Sequence, residues 1–358
     1  MNDAALDFLK ELVETPSPSG YEERNAAVFR IYVGAFADTI ETDAMGSVIA
    51  SVNPEGFPKI MLAGHIDEIG YQVSYIDENG YIFFSRVGGH DLTNAVGQRV
   101  QIHTAKGAVP GVIGKKPIHV MTPDERTKAP VLEGLWVDVG AVNRTETIDA
   151  GVQLGDAITI DAGFTRLVGD RAAARAFDNR VGAWAVAEAL RRVKMLQPEA
   201  AVFAVATVQE EVGLRGAKTS AFGINPEIGI AVDVTFATDF PSMDKRLHPD
   251  VKLGNGPTIL RGANANRKLA DRLVAQAVEY KIPYQIEVYG GGTGTDANAM
   301  QVNRAGMITG LVGIPLRYMH TPCEIVSLAD ADNAAELDRK STRLNSSHLM
   351  SSRMPSSA

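Results

Sequence analysis

Residues 58–65 read PKIMLAGH and are followed by Ile66 and Asp67. The apolar run IMLA shows neither a helical period nor polar alternation, as expected of a strand buried on both faces. It runs out on His65, so an imidazole stands at the strand's carboxyl end. The same grammar recurs three times downstream. AVFAVATVQ (residues 201–209) runs into Glu210 and Glu211, IGIAV (residues 228–232) into Asp233, and ITGLVGIPLRYM (residues 308–319) into His320. Between these runs lie helical stretches, NRVGAWAVAEALRRV (residues 179–193, directly after Asp178) and ANRKLADRLVAQAVEY (residues 265–280). Buried strands alternating with helices predict an α/β fold with a mainly parallel sheet sandwiched by helices.

Toward the N-terminus, Leu6, Leu9, Leu12 and Val13 have helical spacing, and TPSPSG ends that helix. Residues 22–33 read as a second helix and residues 43–52 as a strand. Residues 68–162 change character: IGYQVSYID and YIFFSRV flank a Glu-Asn-Gly turn, and VQIHTAKGAVPGVIG, GLWVDVGAV and DAITIDA follow as short β runs. This predicts a small all-β insert of barrel type. The insert splits a discontinuous α/β unit made of residues 1–67 and 163–337.

Residues 338–358 read DRKSTRLNSSHLMSSRMPSSA, in which seven of 21 residues are serine and no period is visible. The segment resembles the translation of a sequencing adapter. It is therefore expected to be foreign to the fold, to leave the last helix cut short near Leu337, and to exclude His348 from any site.

Composition narrows the function. The chain has 358 residues, 35 basic and 43 acidic, a formal net charge of -8 and 45% hydrophobic residues. This predicts a globular protein that binds neither nucleic acid, which calls for a basic face, nor anionic membranes. No apolar run reaches the roughly 18 residues of a membrane span. The acidic start lacks the basic, apolar pattern of a secretory signal. The single cysteine, Cys323, permits no internal disulfide, and a reducing, cytoplasmic setting is expected.

In open α/β sheets the ligand crevice lies beyond the carboxyl ends of the strands. There His65, Asp67, Asp178, Glu210, Glu211, Asp233 and His320 would converge. Taken singly, Asp67 or Asp233 is an ordinary cap or turn residue, His65 or His320 a satisfied core histidine, and Glu210–Glu211 a solvated pair. Taken together they are carboxylates and imidazoles that would repel or strand charge without a cation. The ligand count suits two divalent metal ions sharing a carboxylate, zinc or cobalt, with manganese a third candidate. Asp67, two residues beyond His65 on an extended segment, could hold the other ring nitrogen. One of Glu210 and Glu211 could bind metal while the other acts as general base; spacing does not choose between them.

Other candidates are weaker. GGGTGTD (residues 290–296) lacks the Lys-Ser/Thr of a phosphate loop and reads as a tight turn or a substrate-facing loop. Cys323 could approach the centre but reads as a small buried hydrophobe. His90, His103, His119 and His248 have no partner spacing.

The pieces SGYEE, AGHIDEIG, GLWVDVG, AFDNRVG, VQEEVGLRGA, AVDVT, GGTGTDANAMQ and PLRYMHTPCEIVSL occur in order over residues 6–337. In them the chain resembles the family forty-two cocatalytic metallo-aminopeptidases, which include the tetrahedral, deblocking and glutamyl aminopeptidases. The resemblance implies that His65 and Asp233 bind one metal, Glu211 and His320 the other, and Asp178 bridges them. It implies that Glu210 is the general base and Asp67 the residue orienting His65. It further implies removal of N-terminal residues from short peptides with a free N-terminus, and homo-oligomers from dimer to dodecamer assembled through the β insert. A two-metal amidohydrolase of small amino-acid amides, or an assembling protein with a vestigial site, is the alternative.

Overall fold

The computed structural model describes residues 1–342. Helices α1 (Asp3–Glu14) and α2 (Glu23–Val33) come first. Asn2 caps α1 by accepting from the Ala5 N–H, relieving one of the unpaired donors of the first turn. Strands β1 (Thr39–Thr42), β2 (Val48–Val52) and β3 (Lys59–His65) follow. Next come six strands of a separate unit: β4 (Gly70–Ile76), β5 (Ile82–Val87), β6 (Arg99–Thr104), β7 (Gly107–Lys115), β8 (Leu135–Asp138) and β9 (Ala157–Ile160). The short helices α3 (Pro123–Thr127) and α4 (Arg144–Asp149) lie in its connections. These strands close an antiparallel barrel in the order β4-β5-β8-β7-β6-β9. Its interior is filled by Tyr71, Val73, Ile82, Phe84, Val100, Ile102 and Val137.

Strands β10 (Thr165–Arg166) and β11 (Arg171–Ala174) lead back to helix α5 (Phe177–Lys194). Then follow β12 (Ala201–Thr207), α6 (Arg215–Ile224), β13 (Ile228–Phe236), β14 (Thr258–Gly262), α7 (Arg267–Glu279), β15 (Gln285–Tyr289), α8 (Asp296–Gln301), β16 (Ile308–Arg317), β17 (Glu324–Ser327) and α9 (Leu328–Ser341). The large sheet runs β1-β2-β12-β3-β13-β16-β17-β11-β10, with β14 paired to β16 and β15 to β14.

The expectation of a mainly parallel sheet needs correcting. The centre, β12-β3-β13-β16, is parallel, but β1, β2, β17, β11 and β10 join antiparallel. The sheet is mixed. Its antiparallel edges are short runs such as TIET and RAAA, which carry little hydrophobic pattern of their own.

The central strands are apolar throughout because both of their faces are covered. In β3, Ile60 and Leu62 enter one core with Leu9, Phe29 and Trp184. Met61 and Ala63 enter the other with Phe203, Ala217 and Met300. Each fully buried aliphatic side chain contributes about 1.5–3 kcal/mol. Helix α5 lies across the first face, and the Trp184 indole N–H, buried there, donates to the Ala5 carbonyl at 2.7 Å.

Two glycines set how close α5 comes. A Cβ on Gly64 would lie 2.5 Å from the Gly182 carbonyl carbon, and one on Gly182 would lie 2.4 Å from the Val232 oxygen. This contact brings the start of α5 against β3 and β13, and with it Asp178.

The C-terminal helix also departs from expectation. It does not stop near Leu337 but continues through Ser341, with Thr342 as its C-cap. Helical backbone thus extends into the serine-rich segment. Asp338 is fully buried, and neither of its carboxylate oxygens has a hydrogen-bond partner among the described residues. Residues 343–358, His348 among them, lie outside the described residues.

Candidate active site

The parallel centre delivers four strand ends to one edge. His65 is the last residue of β3 and lies in register with Thr207 at the end of β12. Beyond Thr207 the chain turns at Gln209, whose φ is +54°, and presents Glu210 and Glu211. Asp233 stands in β13, opposite Gly313 of β16. After β16, Tyr318 and His320 adopt φ of +63° and +60°, a left-handed backbone that is costly for side chains of this size. Asp178 sits in the non-helical first turn of α5.

These residues meet. His65 Nε2 lies 3.3 Å from Asp178 Oδ1, 3.7 Å from Glu210 Oε2 and 3.8 Å from Asp233 Oδ1. His320 Nε2 lies 3.3 Å from Asp178 Oδ2 and 3.4 Å from Glu211 Oε1. One oxygen of Asp178 therefore faces each imidazole. Three sets of donor atoms lie within 4.8 Å of one another: His65–Asp178–Asp233, His65–Glu210–Glu211 and Asp178–Glu211–His320. Two ligand atoms ~2.0–2.1 Å from one ion at a tetrahedral angle sit roughly 3.3 Å apart. The donor set, all imidazole and carboxylate, suits zinc or its neighbours.

The electrostatics say the same. Burial, together with the charges of Asp233, Asp296 and Glu211, pushes Glu210 up to about 10 despite His65 nearby. Burial also lifts Asp233 well above the usual carboxylate range, with Asp178 and Asp296 adding to it, and Glu211 rises for similar reasons. Asp178 is held low: burial opposes ionisation, but hydrogen bonds from His320 and His65 outweigh it. His320 rises to about 11 because Asp178 and Glu211 overcome its burial. A cavity that drives Glu210, Glu211 and Asp233 toward protonation and its imidazoles toward positive charge is short of cations, and divalent ions reverse both tendencies.

A layer of buried polar contacts supports the cluster. Asp67, fully buried, accepts from the Ser19 hydroxyl at 2.6 Å, the Glu210 N–H at 3.1 Å and the Glu211 N–H at 3.2 Å. Its Oδ1 lies 3.3 Å from His65 Nδ1. Glu22 accepts from the N–H groups of Gly20 and Gln209. Glu324 accepts from the backbone N–H of Asp178 at 2.9 Å and of His320 at 2.8 Å. Asp296 accepts from the Thr207 hydroxyl and keeps its other oxygen unpartnered among the described residues. Ser19, Glu22 and Asp296 lie outside the strands and Glu324 opens β17 rather than closing it, so the carboxyl-end placement did not mark them. The signal available was their presence inside SGYEE, GGTGTDANAMQ and MHTPCE.

The site opens at one end. The His65 side chain is 2% exposed and that of His320 34%. A cavity beside it is lined by Ile69, Tyr71, His90 and Asn94 together with Asp178 and His320, so the loop between β5 and β6 forms one wall. His90, without partner spacing in the sequence, stacks on Tyr71 with ring centroids 4.3 Å apart. His103 pairs with the Thr159 hydroxyl, while His119 and His248 are exposed. Cys323 is exposed rather than buried and enters none of the ligand sets among the described residues.

The model of the M42 glutamyl aminopeptidase family matches residues 46–337. A lysyl aminopeptidase of Pyrococcus furiosus is 37% identical over 333 residues, 92% of this chain and 94% of that protein. The TET aminopeptidase of the marine sediment archaeon Thaumarchaeota archaeon SCGC AB-539-E09 superposes with a TM-score of 0.91 at 35% identity, covering 95% of this chain and 96% of that one. The TET1 peptidase of Pyrococcus horikoshii, which can assemble into a tetrahedron or a large octahedral shell, aligns with a TM-score of 0.84 at 32% identity, covering 94% and 98%.

Proposed function

This chain belongs to the M42 glutamyl aminopeptidase family and is an aminopeptidase, and on that premise we propose a dinuclear centre in which each side chain has one role. His65 and Asp233 hold one divalent ion, Glu211 and His320 the other, and Asp178 bridges them. Zinc or cobalt fits the donors best, with manganese third. The observation that carries this reading is Asp178, whose two oxygens each stand 3.3 Å from a different imidazole.

When bound, the ions supply Lewis acidity toward the scissile carbonyl and lower the pKa of water. The remaining work falls to this chain's residues. Glu210 takes the proton of the attacking water and passes it to the leaving amine. Asp67 accepts from His65 Nδ1–H, so that Nε2 faces the centre. The free carboxylate positions around the cluster attract the protonated N-terminus of a short peptide, which enters from the open His320 side. Exposed apolar residues on the barrel and its connections, among them Val112, Ile118, Val120 and Val131, support assembly through the barrel into dimers and larger homo-oligomers. We further propose a cytoplasmic setting and no nucleic-acid partner.

The test is a panel of amino-acid p-nitroanilides, peptides and small amino-acid amides, each assayed with and without chelator. Hydrolysis of free-N-terminal peptides that chelation abolishes and zinc or cobalt restores is expected. Turnover confined to small amides would move the substrate to the amidohydrolase class. Turnover untouched by chelation would remove the metals.

A further inference from the structure

We propose that Glu324 is a positioning residue: a single buried carboxylate that sets the separation of Asp178 and His320 by holding both of their backbones. The argument starts in the sheet. Strand β17 lies between β16, which leads to His320, and β11, which leads to Asp178. It is antiparallel to both. Its first residue therefore falls where their carboxyl ends come together, and Glu324 is in register with Ala174, the last residue of β11.

From there the side chain reaches both neighbours. Oε2 accepts the Asp178 N–H at 2.9 Å, and Oε1 accepts the His320 N–H at 2.8 Å. Glu324 is 2% exposed, so water does not compete for either bond. The two segments it ties are ones that cannot hold themselves. Ala176, two residues before Asp178, has φ +60°, and His320 has φ +60°, so neither N–H belongs to a helix or strand ladder. The two hydrogen bonds to the Glu324 oxygens compensate that strain. Glu324 itself stays out of the ligand sets; its two oxygens are spent on backbone. It thus ties Asp178 to His320.

This inference rests on the dinuclear reading and adds to it a prediction about one of the two ions. Glu324→Gln keeps size but replaces one acceptor oxygen with an N–H2 group that faces a backbone N–H. Zinc uptake by the wild-type chain and by E324Q, measured by equilibrium dialysis against a chelator, separates the possibilities. The expected result is two equivalents in the wild type, and in E324Q unequal weakening, with the ion of the His320 site, which loses the support of both its Asp178 and its His320, weakened roughly 10–100-fold and the ion of the His65–Asp233 site, which shares only Asp178, weakened less. The variant's kcat should fall with KM unchanged. Two equivalents of wild-type affinity in E324Q overturn the proposal. So does equal weakening of both together with a lowered melting temperature, which marks a purely structural role. Should E324Q not fold, Glu324→Asp, one methylene too short to reach both N–H groups, is read by the same criteria. Fewer than two equivalents in the wild type strikes the dinuclear reading itself.

Discussion

The carboxylate of Asp67 accepts the backbone N–H of Glu210 at 3.1 Å and lies 3.3 Å from His65 Nδ1, so one buried side chain ties the His65 ring to the segment that carries Glu210. Asp67 is saturated: Oδ1 serves His65 and Glu210, and Oδ2 serves Ser19 and Glu211. Asn offers one acceptor oxygen where two are in use. Asp67→Asn should lower metal affinity by about 10–100-fold, read by dialysis, and kcat should fall with it. Wild-type affinity and turnover in D67N would show that the ring is held by the Asp67 carbonyl oxygen, which also lies 3.3 Å from His65 Nδ1, and not by the carboxylate.

Glu210 and Glu211 are neighbours in sequence with different surroundings. Glu210→Gln should retain both metal equivalents and lose roughly 10²–10⁴ in kcat, the range of a missing general base. Retained turnover removes Glu210 from that role. Glu211→Gln, by contrast, should lose metal.

Protonation sets the pH dependence of metal uptake. In the metal-free chain Glu210 is pushed up to about 10 and His320 to about 11, and Asp233, Glu211 and His65 are also raised. His320, pushed up to about 11, holds its proton at neutral pH and must release it to bind a metal. Affinity should therefore rise with pH, and binding at pH 7 should release protons. Calorimetry in buffers of different ionisation enthalpy measures that release; uptake independent of buffer and pH contradicts it.

The approach of α5 to β3 depends on Gly64. Gly64→Ala would place its Cβ 2.5 Å from the Gly182 carbonyl carbon, and overpacking against backbone costs about 1–3 kcal/mol or more. Because α5 carries Asp178, the variant should lose metal as well as stability. A denaturant midpoint unchanged from wild type refutes the close-packing argument.

Asp338 is a buried carboxylate without a partner among the described residues, and burial alone raises its pKa well above the ordinary value. An acid raised in the folded state stabilises below its unfolded pKa of about 3.9 and loses that contribution as pH climbs toward the folded value. Asp338→Leu should therefore stabilise the chain by about 1–3 kcal/mol at pH 7, and by less at pH 3. Equal melting temperatures at pH 7 would mean that α9 tolerates the charge.

The sequence made the strand ends legible because apolar runs stop on ionisable residues, as IMLAG does on His65 and IGIAV on Asp233. The convergence of those ends follows from the parallel centre. The antiparallel edges were less legible, since TIET and RAAA are too short to show pattern, and their partners are set by long-range pairing. The supporting carboxylates were not legible by placement either. Glu324 reaches Asp178 across 146 residues, and Ser19 reaches Asp67 across 48. No local rule links such pairs. The extra turn of α9 was hidden by a composition that reads as tail.

The bridging role of Asp178 is tested most directly by counting bound zinc in the wild type and in Asp178→Ala by mass spectrometry after dialysis at limiting free metal. Two equivalents per wild-type chain, with both lost or severely weakened in D178A, are predicted, because in the proposed centre each ion would take an Asp178 oxygen as a ligand. One equivalent held by D178A at wild-type affinity would contradict a shared carboxylate and, with it, the dinuclear centre.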